Sequence, residues 1–212
     1  MKHTPLYQVG RAIVPPIFQI GNPLIINGAE KMPPKGRVVI CCNHLTMKDP
    51  IFVSTVHKRQ INYMAKAELF ENKMLAGLFR SLGAFPVHRG QGDADAMASA
   101  RKLLEEERVV GIFIEGTRSR TGQLLKPKTG AVILAHETHS PILPMCITAP
   151  DGKVPSAFQK LAVSCGDLIM PEELGIEDGN ISSYRKASRL VMSRIAEMRE
   201  RDLLMLEAKK KR

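Results

Sequence analysis

Residues 37–50 read Arg37-Val-Val-Ile-Cys-Cys-Asn-His-Leu-Thr-Met-Lys-Asp-Pro50, an apolar run followed directly by a polar turn. A short, uninterrupted apolar run of this kind predicts a buried strand over Val38–Cys42. The polar turn then lies at the carboxyl end of that strand, which is where α/β proteins usually carry their functional groups.

The polar turn contains a histidine and a carboxylate five positions apart, His44 and Asp49. A neutral imidazole can take a proton from an alcohol, and it does so best when its second ring nitrogen is held by a partner. Asp49 is that partner if the turn folds back, or if a helix begins at Asp49-Pro50, because proline is well tolerated at a helix start. The alternative interpretation is that Asp49 caps a helix over 51–57 and that His44 is an ordinary loop residue.

A second polar turn, Glu115-Gly116-Thr117-Arg118-Ser119, follows an apolar strand predicted over Val109–Ile114. Gly116 lets the backbone approach a ligand closely. The Thr117 and Ser119 hydroxyls and the planar guanidinium of Arg118 are groups that suit a phosphate. Two further cations, Lys66 and Arg89, also end short apolar segments, Ile61–Ala65 and Gly83–His88.

Taken in order, these segments resemble the motifs of the glycerolipid acyltransferases, specifically the bacterial 1-acyl-glycerol-3-phosphate acyltransferases. The family's four motifs are matched by Asn43-His44-x4-Asp49, by Gly83–Arg89, by Phe113–Ser119 and by Ile142–Ile147 around Pro144. The chain departs from the commoner patterns at His88 and at Ile114, where an acidic residue and a proline are usual.

The resemblance implies a fold and an activity. The fold is α/β, with a mixed central sheet flanked by helices. The activity is transfer of a fatty acyl group from an acyl thioester, acyl-CoA or acyl carrier protein, to the free hydroxyl of lysophosphatidic acid, giving phosphatidic acid. For such a transfer His44 is the expected general base, oriented by Asp49, with no acyl-enzyme. We expect no metal and no further cofactor.

Acyl transfer to such an acceptor also requires cations that hold its phosphate at a fixed distance from His44. Arg89, Arg118 and Lys66 are expected to supply the positive charge, while Glu115 orients Arg118 or binds a glycerol hydroxyl. The expected phosphate-binding set is therefore Lys66, Arg89, Glu115, Gly116, Thr117 and Arg118.

Composition indicates an anionic partner without identifying it. The chain has 212 residues, a formal net charge of +10 and a pI of about 9.6. Its four cysteines form no CxxC pair, so we expect buried, reduced thiols, which suit the cytoplasmic side. No stretch reaches the roughly 18 apolar residues that a membrane span requires.

The chain divides into a segment 1–22, an acyltransferase domain over 23–208 and a basic tail over 209–212. Residues 5–20 are apolar and contain Pro15 and Pro16, which allow at most a short, broken helix. We expect this segment to lie in a membrane interface, as in related enzymes, the alternative being a helix packed on the core. The predicted location is therefore peripheral, on an anionic membrane surface at the cytoplasmic face.

Other functions remain open from the sequence. The acceptor can instead be glycerol-3-phosphate, another lysophospholipid or an ornithine lipid, although Arg89 and Arg118 favour a phosphate. A basic module that binds membrane or nucleic acid without chemistry explains the charge but not the two polar turns. No nucleic-acid-binding signature is visible, so no nucleic acid partner is expected.

The remaining pattern predicts helices over 50–58, 93–108, 128–139 and 181–208, with two short helices over 66–82. Two late strands, Leu161–Ser164 and Leu168–Met170, are predicted to pair with each other around Gly166.

Overall fold

The computed structural model describes residues 9, 12–13, 16–17, 19–72, 76–77, 79–80, 83–87 and 94–210, and only the backbone of residues 66, 69 and 87. The strands are β1 (Leu24–Asn27), β2 (Val38–Cys42), β3 (Ile61–Lys66), β4 (Ala84–Val87), β5 (Val109–Phe113), β6 (Ile142–Thr148) and β7 (Leu161–Cys165). The longer helices are α1 (Asp49–Val56), α2 (Ala94–Glu105), α3 (Gly130–Glu137) and α4 (Ile181–Lys210).

The strands form one mixed sheet of seven in the order β1-β7-β6-β2-β5-β3-β4. Strands β6, β2, β5, β3 and β4 run parallel, β7 runs antiparallel to β6, and β1 runs parallel to β7. The predicted α/β class with a mixed central sheet is therefore confirmed. The carboxyl ends of β2, β5 and β6 lie at the same edge as the amino ends of β1 and β7, and we call this the carboxyl edge.

Helices cover both faces of the sheet, which explains why its central strands are apolar without alternation. One face packs against α2, α3 and α4, with Leu104, Leu134 and Val191 in the shared core. The other face packs against α1, which contributes Phe52 and Val53. Every residue of β2 is buried, so the strand that leads to His44 is held from both sides.

The helix α4 buries an acid that its apolar pattern does not indicate. Asp202 is 4% exposed. Its carboxylate accepts hydrogen bonds from the hydroxyls of Ser164, at 2.6 Å, and Thr148, at 3.1 Å. Burial raises the pKa of Asp202, and the two hydroxyl contacts oppose that rise. The helix is thus joined to β6 and β7 by polar contacts as well as by its apolar side chains.

The predicted pairing of two late strands is wrong. Strand β7 pairs with β1 on one side and β6 on the other, so it has no free side. The chain then runs alongside β6, because the Gly166 N–H donates to the Pro144 carbonyl and Ile169 forms an isolated bridge with Ile142. The region predicted as two short helices contains a 3-10 turn, Ala67–Phe70, with helical residues at 76–77 and 79–80, and several of its other positions lie outside the described residues.

Of the segment 1–22, only residues 9, 12–13, 16–17 and 19–22 are described, and all but Asn22 of these are helical. Most of the predicted interface segment, like residues 211–212 of the basic tail, lies outside the described part of the chain. Along that part, no helix is long and apolar enough to cross a membrane.

Candidate active site

The turn after β2 joins His44 to Asp49 directly. The Nδ1 of His44 lies 2.8 Å from Oδ2 of Asp49. This contact arises because the chain folds back after Cys42 and starts α1 at Asp49, with Pro50 as its second residue. Both conditions that the sequence suggested for the contact are met at once.

The Asp49 carboxylate is buried and accepts three more hydrogen bonds from the same turn. The backbone N–H groups of Leu45 and Thr46 donate at 2.6 and 2.8 Å, and the Thr46 hydroxyl donates at 2.7 Å. Lys48 occupies the capping position of α1, which has no side-chain cap. Asp49 therefore organises the turn and the imidazole rather than capping the helix.

This arrangement fixes the role of each imidazole nitrogen. A carboxylate only accepts hydrogen bonds, so in the neutral imidazole the Nδ1–H of His44 donates to Asp49 and Nε2 carries the lone pair. The ring stacks on Phe113, with centroids 3.9 Å apart and planes at 14°. The side chain is 19% exposed, so the ring is held on two sides yet reaches the surface. A group in this state can accept a proton from a bound hydroxyl.

Asn43 has a structural role that sequence reasoning did not assign. Its side chain is fully buried and pairs with the backbone of Ile147 in β6. The amide nitrogen donates to the Ile147 carbonyl at 2.9 Å, and the Ile147 N–H donates to the amide oxygen at 2.8 Å. The side-chain amide of Asn43 takes the place of a backbone peptide group and adds one pair of sheet hydrogen bonds beyond Cys42. The local sequence offered no signal for this pairing, because a polar residue directly after an apolar strand is equally typical of a loop.

Glu115 is buried beneath the second turn. It is 1% exposed, and its Oε1 accepts the backbone N–H of His44 at 3.4 Å. Its Oε2 is buried and has no hydrogen-bond partner among the described residues. Burial raises the pKa of Glu115 to about 7, and backbone N–H groups of His44 and Leu125 oppose that rise. The contacts described for Glu115 thus hold the histidine turn and the following loop, and no contact with Arg118 is among them.

The second turn continues with exposed residues and returns to the first turn. Gly116 has φ +70°, a backbone conformation that glycine adopts without cost, and Gly116, Thr117 and Arg118 are exposed. Ser119 is buried, and its N–H donates to the His44 carbonyl at 2.8 Å. The structure therefore brings the Glu115–Arg118 turn against the His44 turn at the carboxyl edge.

Several cations lie along the same loop. Arg118 is exposed, Lys126 and Lys128 follow it, and a side chain at Gly116 would meet the Lys128 Cγ at 3.2 Å. The loop is anchored from α4 by Arg199, which donates to the carbonyls of Gly122 and Gly152 at 3.1 and 2.9 Å.

The other two predicted cations are less fully described. Lys66 ends β3, aligned with Val87 of β4, and only its backbone is described. Arg89 lies outside the described residues. No group of three or more His, Cys, Asp or Glu side chains that could hold a metal ion is present in the described part of the chain. The four cysteines are free and buried.

Comparisons with known proteins identify the family of the chain. A protein family described as Acyltransferase matches residues 24–148. The chain is 36% identical over 135 residues to the 1-acyl-sn-glycerol-3-phosphate acyltransferase of Bacillus subtilis (strain 168), a match that covers 63% of this chain and 67% of that protein. It is 31% identical over 133 residues to the protein of the same name from Borreliella burgdorferi (strain ATCC 35210 / DSM 4680 / CIP 102532 / B31), covering 62% of this chain and 53% of that protein.

A solved structure shares the fold. The crystal structure of the 1-acyl-sn-glycerophosphate (LPA) acyltransferase, PlsC, from Thermotoga maritima superposes with a TM-score of 0.65 at 20% sequence identity. The superposition covers 91% of this chain and 78% of that chain. At this level of identity the likeness establishes the fold alone.

Proposed function

The chain belongs to the acyltransferase family, and from this we propose that it transfers a fatty acyl group from an acyl thioester to the free hydroxyl of 1-acyl-sn-glycerol-3-phosphate, giving phosphatidic acid. The observation that carries the proposal is the pair His44 and Asp49, with Nδ1 and Oδ2 2.8 Å apart beside an exposed turn that contains Arg118. The names of the relatives from Bacillus subtilis and Borreliella burgdorferi support this acceptor.

In the proposed reaction His44 acts as the general base. As the acceptor oxygen attacks the thioester carbon, Nε2 takes the hydroxyl proton, and Asp49 stabilises the imidazolium through Nδ1. The carbon–sulfur bond then breaks, and the departing thiolate takes the proton from Nε2. The products are the new ester and a free thiol, and His44 is neutral again. The acyl group passes directly between the two substrates, since no protein nucleophile is required.

We propose that cations at the carboxyl edge bind the acceptor's phosphate. Arg118 is the best supported, because it is exposed and directly precedes Ser119, whose N–H donates to the His44 carbonyl. Lys128 lies against Gly116 and adds positive charge to the same turn. Lys66 ends β3 and Arg89 comes after β4, two strands of the same parallel set, and both residues are proposed to complete the group. Gly116 and Thr117 offer backbone and hydroxyl donors.

The acyl donor is acyl-CoA or acyl carrier protein, because both are anionic thioester carriers that suit a chain of net charge +10. Glycerol-3-phosphate and other lysophospholipids share the phosphate and are the alternative acceptors.

The proposal is tested by offering a labelled acyl group on CoA or on acyl carrier protein to the protein with lysophosphatidic acid in mixed micelles. We expect phosphatidic acid from one or both donors, and transfer to phosphate-free monoacylglycerol about ten- to a hundredfold less efficient, because a charged hydrogen bond is lost. Arg118→Ala should reduce this preference, whereas Arg120→Ala, at an exposed arginine two positions further, should keep it. If neither donor yields phosphatidic acid with folded protein, the acceptor assignment is wrong, and glycerol-3-phosphate is the next to test.

We further propose that the protein binds an anionic membrane surface peripherally, at the cytoplasmic face. Val9, Ile13, Ile17 and Ile20 are helical and 53, 53, 58 and 75% exposed. Their spacing of four, four and three positions is that of an apolar helix face, and we call these four residues the apolar stripe. The chain's net positive charge suits anionic lipid, and its free cysteines suit a reducing compartment.

Membrane association predicts that the protein sediments with vesicles containing phosphatidylglycerol, less with phosphatidylcholine alone, and less at high salt. Ile17→Glu should weaken vesicle binding by about tenfold or more, because it removes an apolar contact and adds a negative charge. Ile181→Glu is the matched control, since Ile181 is similarly exposed, at 54%, but begins α4. Equal binding by the two variants would show that the stripe does not face lipid.

A further inference from the structure

An exposed phenylalanine in the loop between β6 and β7 is held in an unfavourable backbone conformation. Phe158 is 79% exposed and has φ +63°. A bulky residue rarely adopts this left-handed region, because its Cβ approaches the backbone too closely. An exposed apolar ring and a left-handed backbone conformation each cost free energy. Other contacts of the loop must therefore hold Phe158 in this position.

Hydrogen bonds to the end of the N-terminal helical segment maintain this conformation. The Phe158 N–H donates to the Gly21 carbonyl. Asn22, which is 2% exposed, donates from its side-chain amide to the carbonyls of Ser156 at 2.7 Å and Gln159 at 3.1 Å. The loop around Phe158 and the exit of the N-terminal segment are therefore one connected unit. That segment carries the apolar stripe of Val9, Ile13, Ile17 and Ile20.

The sheet topology sets this unit at the carboxyl edge, together with the candidate active site. The loop follows β6 at Thr148 and leads into β7 at Leu161, and Leu161 pairs with Leu24 at the start of β1. Asn43, directly before His44, pairs with Ile147 near the end of β6. Phe158 and the base thus emerge from the same edge of the sheet.

The charges near Phe158 suit an anionic lipid surface. Lys153 and Lys160 lie on either side of it in the loop, both exposed, and with the exposed Asp151 they leave the loop a net positive charge. An aromatic ring that sits at the boundary of the acyl chains while neighbouring lysines contact headgroups is a favourable arrangement at a membrane interface. The exposed ring and the apolar stripe favour a lipid surface over an acidic protein partner, because a bilayer buries apolar surface without needing a shaped pocket.

We propose that Phe158 is a second membrane anchor, inserted into an anionic leaflet beside the N-terminal stripe, so that two contacts fix how the carboxyl edge faces the bilayer. This inference rests on the membrane association proposed above. A single helical anchor allows the domain to rotate about it, whereas two anchors joined by Asn22 hold the entrance to His44 toward the lipid that supplies the acceptor.

The chain contains no tryptophan, so a single introduced indole reports its own surroundings. Phe158→Trp is compared with Met170→Trp. Met170 is 44% exposed and follows Ile169, which bridges Ile142 at the opposite end of β6 from Thr148. With phosphatidylglycerol vesicles we expect the fluorescence of the Phe158→Trp variant to shift to the blue and to be quenched by brominated acyl chains. The fluorescence of the Met170→Trp variant should change in neither respect.

A second variant separates anchoring from loop stability. Phe158→Gly removes the ring and relieves the left-handed conformation. We expect its thermal unfolding midpoint to be equal to or above that of the wild type, and its vesicle affinity to fall about tenfold. A variant that lost affinity only because the loop unfolded would instead show a lower midpoint.

The outcomes distinguish this inference from the proposals on which it rests. If the wild type sediments with vesicles while the indole of the Phe158→Trp variant stays in water, the second anchor is excluded and the membrane proposal stands. That result is also expected if Phe158 contacts a protein partner. If the wild type does not sediment, both membrane statements are wrong, and the micelle assay still decides the acyl transfer independently.

Discussion

Replacing His44 by alanine is expected to lower the rate of acyl transfer by about a hundred- to ten-thousandfold, the range that a general base contributes. The hydroxyl of the acceptor is a weak nucleophile near neutral pH, and the His44→Ala variant lacks the imidazole that takes its proton in the transition state. The effect should fall on kcat, because the imidazole acts on the attacking oxygen and not on the phosphate that positions the acceptor.

The fold should survive this change, which allows the loss to be assigned to chemistry. His44 is 19% exposed, and its backbone N–H and carbonyl keep their contacts with Glu115 and Ser119 whatever the side chain. Thermal unfolding of the variant checks this point. His139→Asn is the matched control, because His139 has φ +46°, which asparagine tolerates, and lies in the turn after α3. Near-normal transfer by His44→Ala would show that another group is the base.

Asp49→Asn is expected to lower both the activity and the stability of the protein, whereas His44→Ala lowers the activity alone. The amide keeps one acceptor oxygen but presents N–H groups to the donors of Leu45 and Thr46. Activity should fall by a factor comparable to that for His44→Ala, since the imidazole is no longer held in its tautomer. Unlike His44→Ala, this variant should also lose about 1–3 kcal/mol of unfolding free energy, because buried donors become unsatisfied.

The sequence predicted the features of the site that depend on strand ends. His44 and Glu115 both follow apolar runs, and parallel neighbouring strands place such residues at one edge. The contact of His44 with Asp49 was likewise accessible, because Pro50 indicates a helix start close behind the histidine. Contacts between segments that are distant in the sequence could not be predicted. Asn43 serves the backbone of Ile147, 104 positions away, and nothing in its local sequence distinguishes that use from a polar loop residue.

The same limit explains the errors in the fold. The strand β7 was predicted correctly, but its partners were not. A hairpin with residues 168–170 is the shortest connection, whereas the observed pairing with β1 joins segments 137 positions apart, as Leu24 with Leu161. Asp202 shows the converse case. It sits on the buried face of α4, and only the hydroxyls of Thr148 and Ser164, which the sheet brings to it, make that position tolerable.

Glu115→Gln is expected to remove a pH dependence of stability. Burial raises the pKa of Glu115 from 4.5 to about 7, so the folded protein binds this proton more tightly than the unfolded chain does. The resulting stabilisation is fully present below pH 4.5 and is lost as the pH rises through 7. A shift of this size corresponds to a loss of about 3 kcal/mol of unfolding free energy across the interval.

Glutamine is neutral at every pH and keeps an oxygen that can accept the backbone N–H of His44. Its buried amide nitrogen replaces an Oε2 that has no partner among the described residues, so the cost of an unsatisfied group is present in both proteins at low pH. The variant should therefore gain stability relative to the wild type as the pH increases, whatever its absolute stability. Urea unfolding of both proteins between about pH 4.5 and 8 measures the difference, with exposed Glu177→Gln as the control. A constant difference across that range would mean that Glu115 carries the same charge in the folded and unfolded chains.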